Sequence, residues 1–222
     1  MLTDGISFLL RGGPVMWPLF ICAIWSVTVM IERYFALRGV ASGSRSLAVD
    51  VRDALQRGRR ASAEQILNVR GGPVSRLLSV AVKNSGLPRL EIEALVTEAA
   101  AEEMPALTRG LSSLDTIITI APLLGLLGTV TGMIKAFQVV AISSGQAAPA
   151  TTITGGVAEA LIATATGLAI AIVTLVGYNY LSEQVKSIVS MMDAGANKII
   201  NVLQQRPTLP PLEENRYEAA TL

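Results

Sequence analysis

The residues best suited to chemistry lie inside long apolar runs, where polar side chains are rare. The candidates are four threonines and one glutamate, namely Thr129, Thr131, Thr164, Thr166 and Glu159. An ionisable group within a bilayer is costly, so Glu159 is a functional candidate wherever its run crosses a membrane. A threonine hydroxyl can donate and accept a hydrogen bond. Two simpler interpretations stay open: each threonine bonds its own helix backbone, or Glu159 meets water at the membrane surface.

The composition argues against covalent catalysis. The chain has no histidine, which is the commonest general base and transition-metal ligand, and its one cysteine, Cys22, lies in an apolar run. Hydrophobic residues make up 51% and charged residues 16%, so charge is depleted relative to the ~25% of an average soluble domain. The net charge of +1 gives no field that would favour nucleic acid. We therefore expect neither an enzyme, nor a metal site, nor a nucleic-acid partner.

Three apolar runs are long enough to cross a bilayer, which takes about 20 residues. They cover 12–31 without a charge, 116–142 with Lys135, and 155–181 with Glu159. The fold class predicted is an all-α membrane protein, with three transmembrane helices and long cytoplasmic helical extensions. The predicted segments are a periplasmic start 1–14, spans 15–37, 114–142 and 155–181, a cytoplasmic helical loop 38–113, a periplasmic loop 143–154, a cytoplasmic helix 182–205 and a disordered tail 206–222.

The basic residues predict the orientation of these spans. Eleven lie between Arg38 and Arg109, and more follow the third span, whereas the segment SSGQAAPATTIT has none. Cytoplasmic loops carry the excess of Lys and Arg. The N-terminus should therefore be outside, and the long loop and the C-terminus inside.

Small residues recur at about four-residue spacing in spans two and three, which lets helix backbones approach closely. We expect these two spans to pack against each other and span one to face lipid. Lys135 is expected to extend toward the headgroups. The helix-packing positions predicted are Gly125, Gly128, Gly132, Ala163, Gly167 and Ala171, with Ala121 beginning the row.

The two threonines nearest the middle of these spans are predicted to lie at one depth. At 1.5 Å per residue, Thr129 lies roughly 20 Å from the inner end of span two. Thr164 lies roughly 13 Å from the outer end of span three. In a core about 30 Å thick these depths nearly coincide, so the hydroxyls could form one polar level.

An apolar stripe continues after span three, and it leaves the packing partner open. Its residues repeat at helical spacing, but an apolar stripe does not show which surface packs against it. It can pack on the same chain or on neighbouring copies. The stripe consists of Val185, Ile188, Val189, Met192, Ala196, Ile199, Ile200 and Leu203.

The segments APLLGLLGTVTGMIKAF and GGVAEALIATATGLAIAI resemble the signature of the MotA/TolQ/ExbB proton-channel family. The opening GGPVMWPLFICAIWSVTVMIERYFAL is most similar to the ExbB branch, and the order of elements also matches. A flagellar stator subunit of the MotA type has four spans, whereas three are predicted here.

The resemblance implies a homopentamer around the helices of an ExbD- or TolR-like single-span protein that carries a membrane aspartate. It also implies a bacterial inner-membrane location, protons as coupling ion with no cofactor, and a TonB-like protein energised for outer-membrane transport. The family's pore threonines match Thr129 and Thr164, and its span-three glutamate matches Glu159. Lys135 is the departure from the pattern, and its role stays open.

Two other functions remain open at this stage. One is a TolQ-like, gliding or secretion motor that uses the same conduction, with H⁺ or Na⁺ undecided by the residues alone. The other is a non-conducting membrane scaffold that only holds partner helices. An alternating-access transporter is disfavoured, because three spans provide no repeated halves with broken helices.

The orientation gives the first testable prediction. A cysteine at Ser144 should react with a membrane-impermeant thiol reagent added from outside, and a cysteine at Ser62 should not, since the basic segment around Ser62 is retained in the cytoplasm. Labelling of intact cells measures this, and the reverse pattern would overturn the orientation.

Overall fold

The computed structural model describes residues 12–142 and 150–204, and within these ranges the chain forms six helices and no strand. This confirms the all-α class. The helices are α1 Met16–Gln56, α2 Arg60–Arg70, α3 Gly72–Lys83, α4 Arg89–Thr108, α5 Leu111–Ile142 and α6 Ala150–Gln204.

Three of the described helices are long and apolar enough to cross a membrane, as the sequence predicts. The qualifying stretches are Met16–Gln56, Leu111–Gln138 and Thr154–Gln204. They belong to α1, α5 and α6. The short helices α2, α3 and α4 all come from the segment between the first and second spans.

The long helices run past the predicted segment limits. α1 continues beyond residue 37 to Gln56, and α6 joins the predicted segments 155–181 and 182–205 into one helix. α6 also begins at Ala150, inside the predicted loop 143–154. Beyond Pro18 in its first turn, neither helix contains the proline that would end it. The tail 206–222 and residues 1–11 of the predicted start lie outside the described residues.

The described residues divide into two compact units. The first contains residues 12–37, 108–142 and 150–185, and the second contains 38–107 and 186–204. The candidate spans therefore fall in the first unit. The second unit holds α2, α3 and α4 with the ends of α1 and α6.

The core of the first unit includes the start of α1, which corrects part of the expectation for span one. Leu19 is fully buried, and Val15 and Met16 are almost so. Farther along the same helix, Ile21 and Ile24 are about two-thirds exposed, at 66% and 68%. One face of α1 thus packs on the chain, and the other is left for lipid. The buried cluster is Val15, Met16, Leu19, Ile117, Ala121, Ala163 and Ala171.

Residues of the second unit pack against the apolar stripe at the end of α6. Ile188, Met192 and Ile199 are at most 2% exposed within this single chain. A Cβ on Gly195 would touch Leu78 of α3 at 3.6 Å. The stripe is therefore covered by its own chain, and no neighbouring copy is needed to bury it.

Candidate functional site

The contact between α5 and α6, called the seam below, is formed by small residues that bring the two backbones together. A Cβ on Gly167 would lie 2.5 Å from the carbonyl oxygen of Ala121. A Cβ on Gly125 would lie 3.0 Å from the Cα of Thr164. Real Cβ atoms essentially never approach as closely as 2.5 Å, and at 3.0 Å the backbone of Thr164 would have to shift, so a side chain at either position would push the helices apart. Close approach of this kind is how small residues associate membrane helices.

The same contact extends toward residues 143–149. A Cβ on Gly128 would lie 2.5 Å from the Cβ of Ala163, and a Cβ on Gly132 would lie 2.7 Å from the carbonyl oxygen of Gly156. Ala171 is 7% exposed near the opposite end of the seam. The structure therefore places the four glycines in the contact between α5 and α6, and it places Ala163 and Ala171 in the buried cluster that also includes the start of α1.

Thr164 makes a hydrogen bond across the seam. Its Oγ1 donates to the carbonyl oxygen of Gly125 at 2.9 Å, and the side chain is half-buried. That carbonyl is within reach because Gly125 has no side chain in the way. The hydroxyl thus links two helices, and the simple interpretation in which it bonds its own helix does not apply to Thr164.

The other three threonines do bond their own helices. Thr129 donates to Leu126 at 2.6 Å, Thr131 to Gly128 at 3.1 Å, and Thr166 to Ile162 at 2.8 Å. A hydroxyl that donates in this way keeps its acceptor lone pairs. Thr129 can therefore still accept a hydrogen bond from a protonated group or a water molecule.

The levels of Thr129 and Thr164 differ by about one helical turn. Thr164 lies beside Gly125, and Thr129 follows Gly125 by four residues, which is about 6 Å along the axis. The span lengths predict nearly equal depths for Thr129 and Thr164, and the structure shows a small offset between them.

Lys135 and Glu159 form an ion pair at the end of the seam nearest to residues 143–149. Lys135 Nζ lies 2.6 Å from Glu159 Oε1, and the two side chains are 47% and 21% exposed. The sequence predicts that Lys135 extends to the headgroups, and the structure instead directs its ammonium onto a carboxylate. A hydrogen-bonded pair of opposite charge reduces the cost of holding either group within an apolar span.

The segment before α1 covers this ion pair. Gly13 has a left-handed φ of +74°, and a Cβ there would overlap the Glu159 carboxylate. A Cβ on Gly12 would lie 3.3 Å from Ile162, one turn farther along α6. The absence of a side chain on Gly13 lets the backbone at this residue lie directly against Glu159. No signal in the sequence linked Gly13 to the site.

The ion pair and the two central threonines lie on different sides of the seam. Glu159 and Thr164 are five residues apart, which is about 140° around α6, and Thr129 and Lys135 are six apart, about 120° around α5. Contacts with Gly12 and Gly13 place the ion pair on the side of α1. Within one chain, the structure thus brings Thr129 and Thr164 to one side and leaves Glu159 on the other.

Charge is almost absent along the rest of the seam. Among the described residues from Thr116 to Leu181, Lys135 and Glu159 are the only charged side chains. No group of three or more metal-ligating side chains occurs in the described part of the chain. The side with the two threonines therefore offers hydroxyls and no acid or base of its own.

Comparisons with known proteins all point to the same family. The sequence model of the MotA/TolQ/ExbB proton channel family matches residues 70–194. An ExbB-like biopolymer transport protein of Synechocystis sp. is 32% identical over 77% of this chain and 81% of its own length. A biopolymer transport protein ExbB of Neisseria gonorrhoeae is 28% identical over 88% of this chain and 95% of its own. A Tol-Pal system protein TolQ of Haemophilus influenzae is 41% identical over 39% of this chain and 37% of its own.

The seam predicts the outcome of filling one glycine. Gly167→Leu should separate α5 from α6, because the new side chain would meet the Ala121 carbonyl, at a cost of about 3 kcal/mol. Yield of the assembled protein and its resistance to heat measure the effect.

Gly155→Leu is the matched control, since Gly155 lies on the same helix and a Cβ there would have nothing within 4 Å. Equal stability of the two leucine variants would contradict the close contact at Gly167.

Proposed function

The chain belongs to the MotA/TolQ/ExbB proton channel family, and we propose that it is the proton-channel subunit of an ExbB/TolQ-like motor driven by the proton motive force. It is a multi-pass membrane protein with three apolar helices. The motor energises a periplasm-spanning, TonB-like partner for transport across the outer membrane. The names of the ExbB relatives support this task, since they are called biopolymer transport proteins.

The proposed location is a bacterial inner membrane, with the N-terminus in the periplasm and the C-terminus in the cytoplasm. The support is the distribution of basic residues, which favours a cytoplasmic side for the segment 38–109. In this orientation the Lys135–Glu159 pair lies toward the periplasmic end of the seam, and the threonines lie deeper.

The observation that carries the conduction proposal is the side of the seam that holds Thr129 and Thr164. It presents two hydroxyls within about one helical turn of each other. The two charged side chains in the described residues of these spans, Lys135 and Glu159, lie on the opposite side of the seam. Proton transfer needs a group that can take up and release the ion, so we assign that group to another chain. An ExbD- or TolR-like single-span protein with a membrane aspartate is the partner proposed.

The hydroxyls would act as hydrogen-bonding partners for that aspartate. In its protonated state the acid donates to a threonine oxygen, and in its ionised state it accepts from a hydroxyl hydrogen. Thr164 can exchange its bond to Gly125 for a bond to the carboxylate without leaving its rotamer well, because only the hydroxyl hydrogen must turn. Both protonation states are thereby stabilised with little movement of the helices.

Several copies of the chain, a homopentamer in our proposal, would surround the partner helices. Large apolar side chains on α5 and α6 are exposed in the single chain: Leu126, Val130, Leu161 and Ile172 are each at least half exposed. Lipid or neighbouring copies must cover them, because apolar patches of this size are not left to water. A ring would leave the threonine sides facing its interior.

Two other functions compete with this proposal. A TolQ-like, gliding or secretion motor would use the same conduction, and the TolQ relative supports the first of these. A non-conducting scaffold would use the seam only to hold partner helices. Neither alternative requires a covalent reaction or a cofactor, so the chain would be a transport subunit in the first case and a structural subunit in the second.

The hydroxyls give a direct test. Thr129→Val and Thr164→Val should each reduce proton flux through the reconstituted complex by ~10-fold or more, a barrier increase of about 1.4 kcal/mol. Valine has nearly the shape of threonine but cannot donate or accept a hydrogen bond. Assembly should persist, since a hydrogen bond between membrane helices contributes only about 0.6 kcal/mol on average.

Thr131→Val and Thr166→Val are the matched controls, because each lies two residues away on the same helix and bonds only its own backbone. Full flux in both test variants would exclude their hydroxyls from the pathway. Equal losses in all four variants would point to a general effect on the spans.

A further inference from the structure

The Lys135–Glu159 pair has the geometry of an occupied cation site. One carboxylate oxygen receives the ammonium at 2.6 Å, and the Glu159 side chain is 21% exposed. The backbone at Gly13 lies directly against the same carboxylate. Carboxylate oxygens are among the ligands that small hard cations bind, so a partly buried carboxylate is a position where such a cation can be held. Here the cation is supplied by the chain itself.

A tethered ammonium differs from a free ion in one respect that matters for conduction. Lys135 is held on the facing helix of the same chain, so its concentration at the carboxylate does not depend on the surrounding solution. A metal cation at Glu159 would have to share the carboxylate with the ammonium or displace it, and in either case two positive charges would lie close together. Displacement is therefore unfavourable at ordinary sodium concentrations.

We propose that Lys135 is a specificity-determining residue, which occupies the Glu159 carboxylate and thereby excludes sodium and similar small cations from this end of the seam. The inference rests on the proposed function, since ion selectivity matters only in a complex that conducts ions. It assigns Glu159 the role of a counter-ion held by Lys135.

Proton conduction is compatible with this arrangement. Thr129 and Thr164 lie on the other side of the seam, and a proton can move between hydroxyls, water molecules and the partner's acid by exchange of hydrogen bonds. A metal cation instead needs several oxygen ligands around it, and the carboxylate that could supply them at this point is already neutralised by Lys135. The pair thus discriminates against the metal ion without standing in the path of the proton.

Removal of the tethered charge should create a measurable sodium site. The measurement uses the full chain in lipid nanodiscs, in choline chloride and in sodium chloride at equal ionic strength. For Lys135→Met, the apparent midpoint of thermal unfolding should be about 2–4 °C higher in sodium chloride than in choline chloride. The wild-type protein and Lys135→Arg should show no difference between the two salts. Lys135→Met/Glu159→Gln should lose the sodium response, because the carboxylate is gone.

Lys198→Met is the control for the loss of one positive charge, since Lys198 is an exposed lysine of the second unit. If Lys135→Met does not accumulate, Lys135→Gln keeps a hydrogen-bond donor for Glu159 without the charge and tests the same point. A sodium response in the wild type that Glu159→Gln removes would overturn the proposal. Absence of a sodium response in both neutral variants at Lys135 would overturn it as well.

This measurement reports binding at equilibrium and needs no ion flux. The selectivity role is thus separated from the conduction role. A chain that fails to conduct protons but shows the expected sodium response would keep the cation site and reject the proposed function. A chain that conducts protons without that response would keep the function and reject the role of Lys135.

Discussion

The site depends on one steric constraint, the absence of side chains along the seam. Because Gly125, Gly128, Gly132 and Gly167 carry no Cβ, the backbones of α5 and α6 approach to van der Waals contact. That distance lets Thr164 reach the Gly125 carbonyl, and it lets Lys135 meet Glu159. A single larger side chain in the row would separate the helices and move all of these groups at once.

The seam also separates polar functions that would interfere with each other. Two hydroxyls occupy the side away from α1, and the charged pair occupies the side of α1 beneath Gly13. In a medium of low dielectric constant, a fixed ammonium close to the hydroxyls would oppose the approach of any cation. The pair instead neutralises itself on the far side. In the proposed mechanism, this chain would provide hydrogen bonds on the side with the two threonines, and a partner would supply the protonatable group.

The spans, the all-α class and the row of small residues could be read from the sequence, because each depends on composition and on the helical period. Contacts between elements distant in sequence could not. Lys135 and Glu159 lie at similar sequence distances from the segment 143–149 on antiparallel helices, which is compatible with pairing. The helical period alone does not favour this pairing over a lysine that extends to the headgroups. Gly13 gave no signal, since a glycine before a helix usually reports only a turn. The apolar stripe on α6 did not indicate which residues pack against it, and the burial of its side chains within one chain identified the same chain as the partner.

The central claim is that the chain conducts protons only with an acid supplied by its partner, and one measurement tests it most directly. Proton flux into vesicles is compared for the complex with an intact single-span partner, for the complex whose partner carries asparagine in place of its membrane aspartate, and for this chain alone. We expect flux only with the intact partner, since the described spans hold hydroxyls but no acid on the conduction side. Equal flux in all three preparations, or none with the intact partner, would contradict the account.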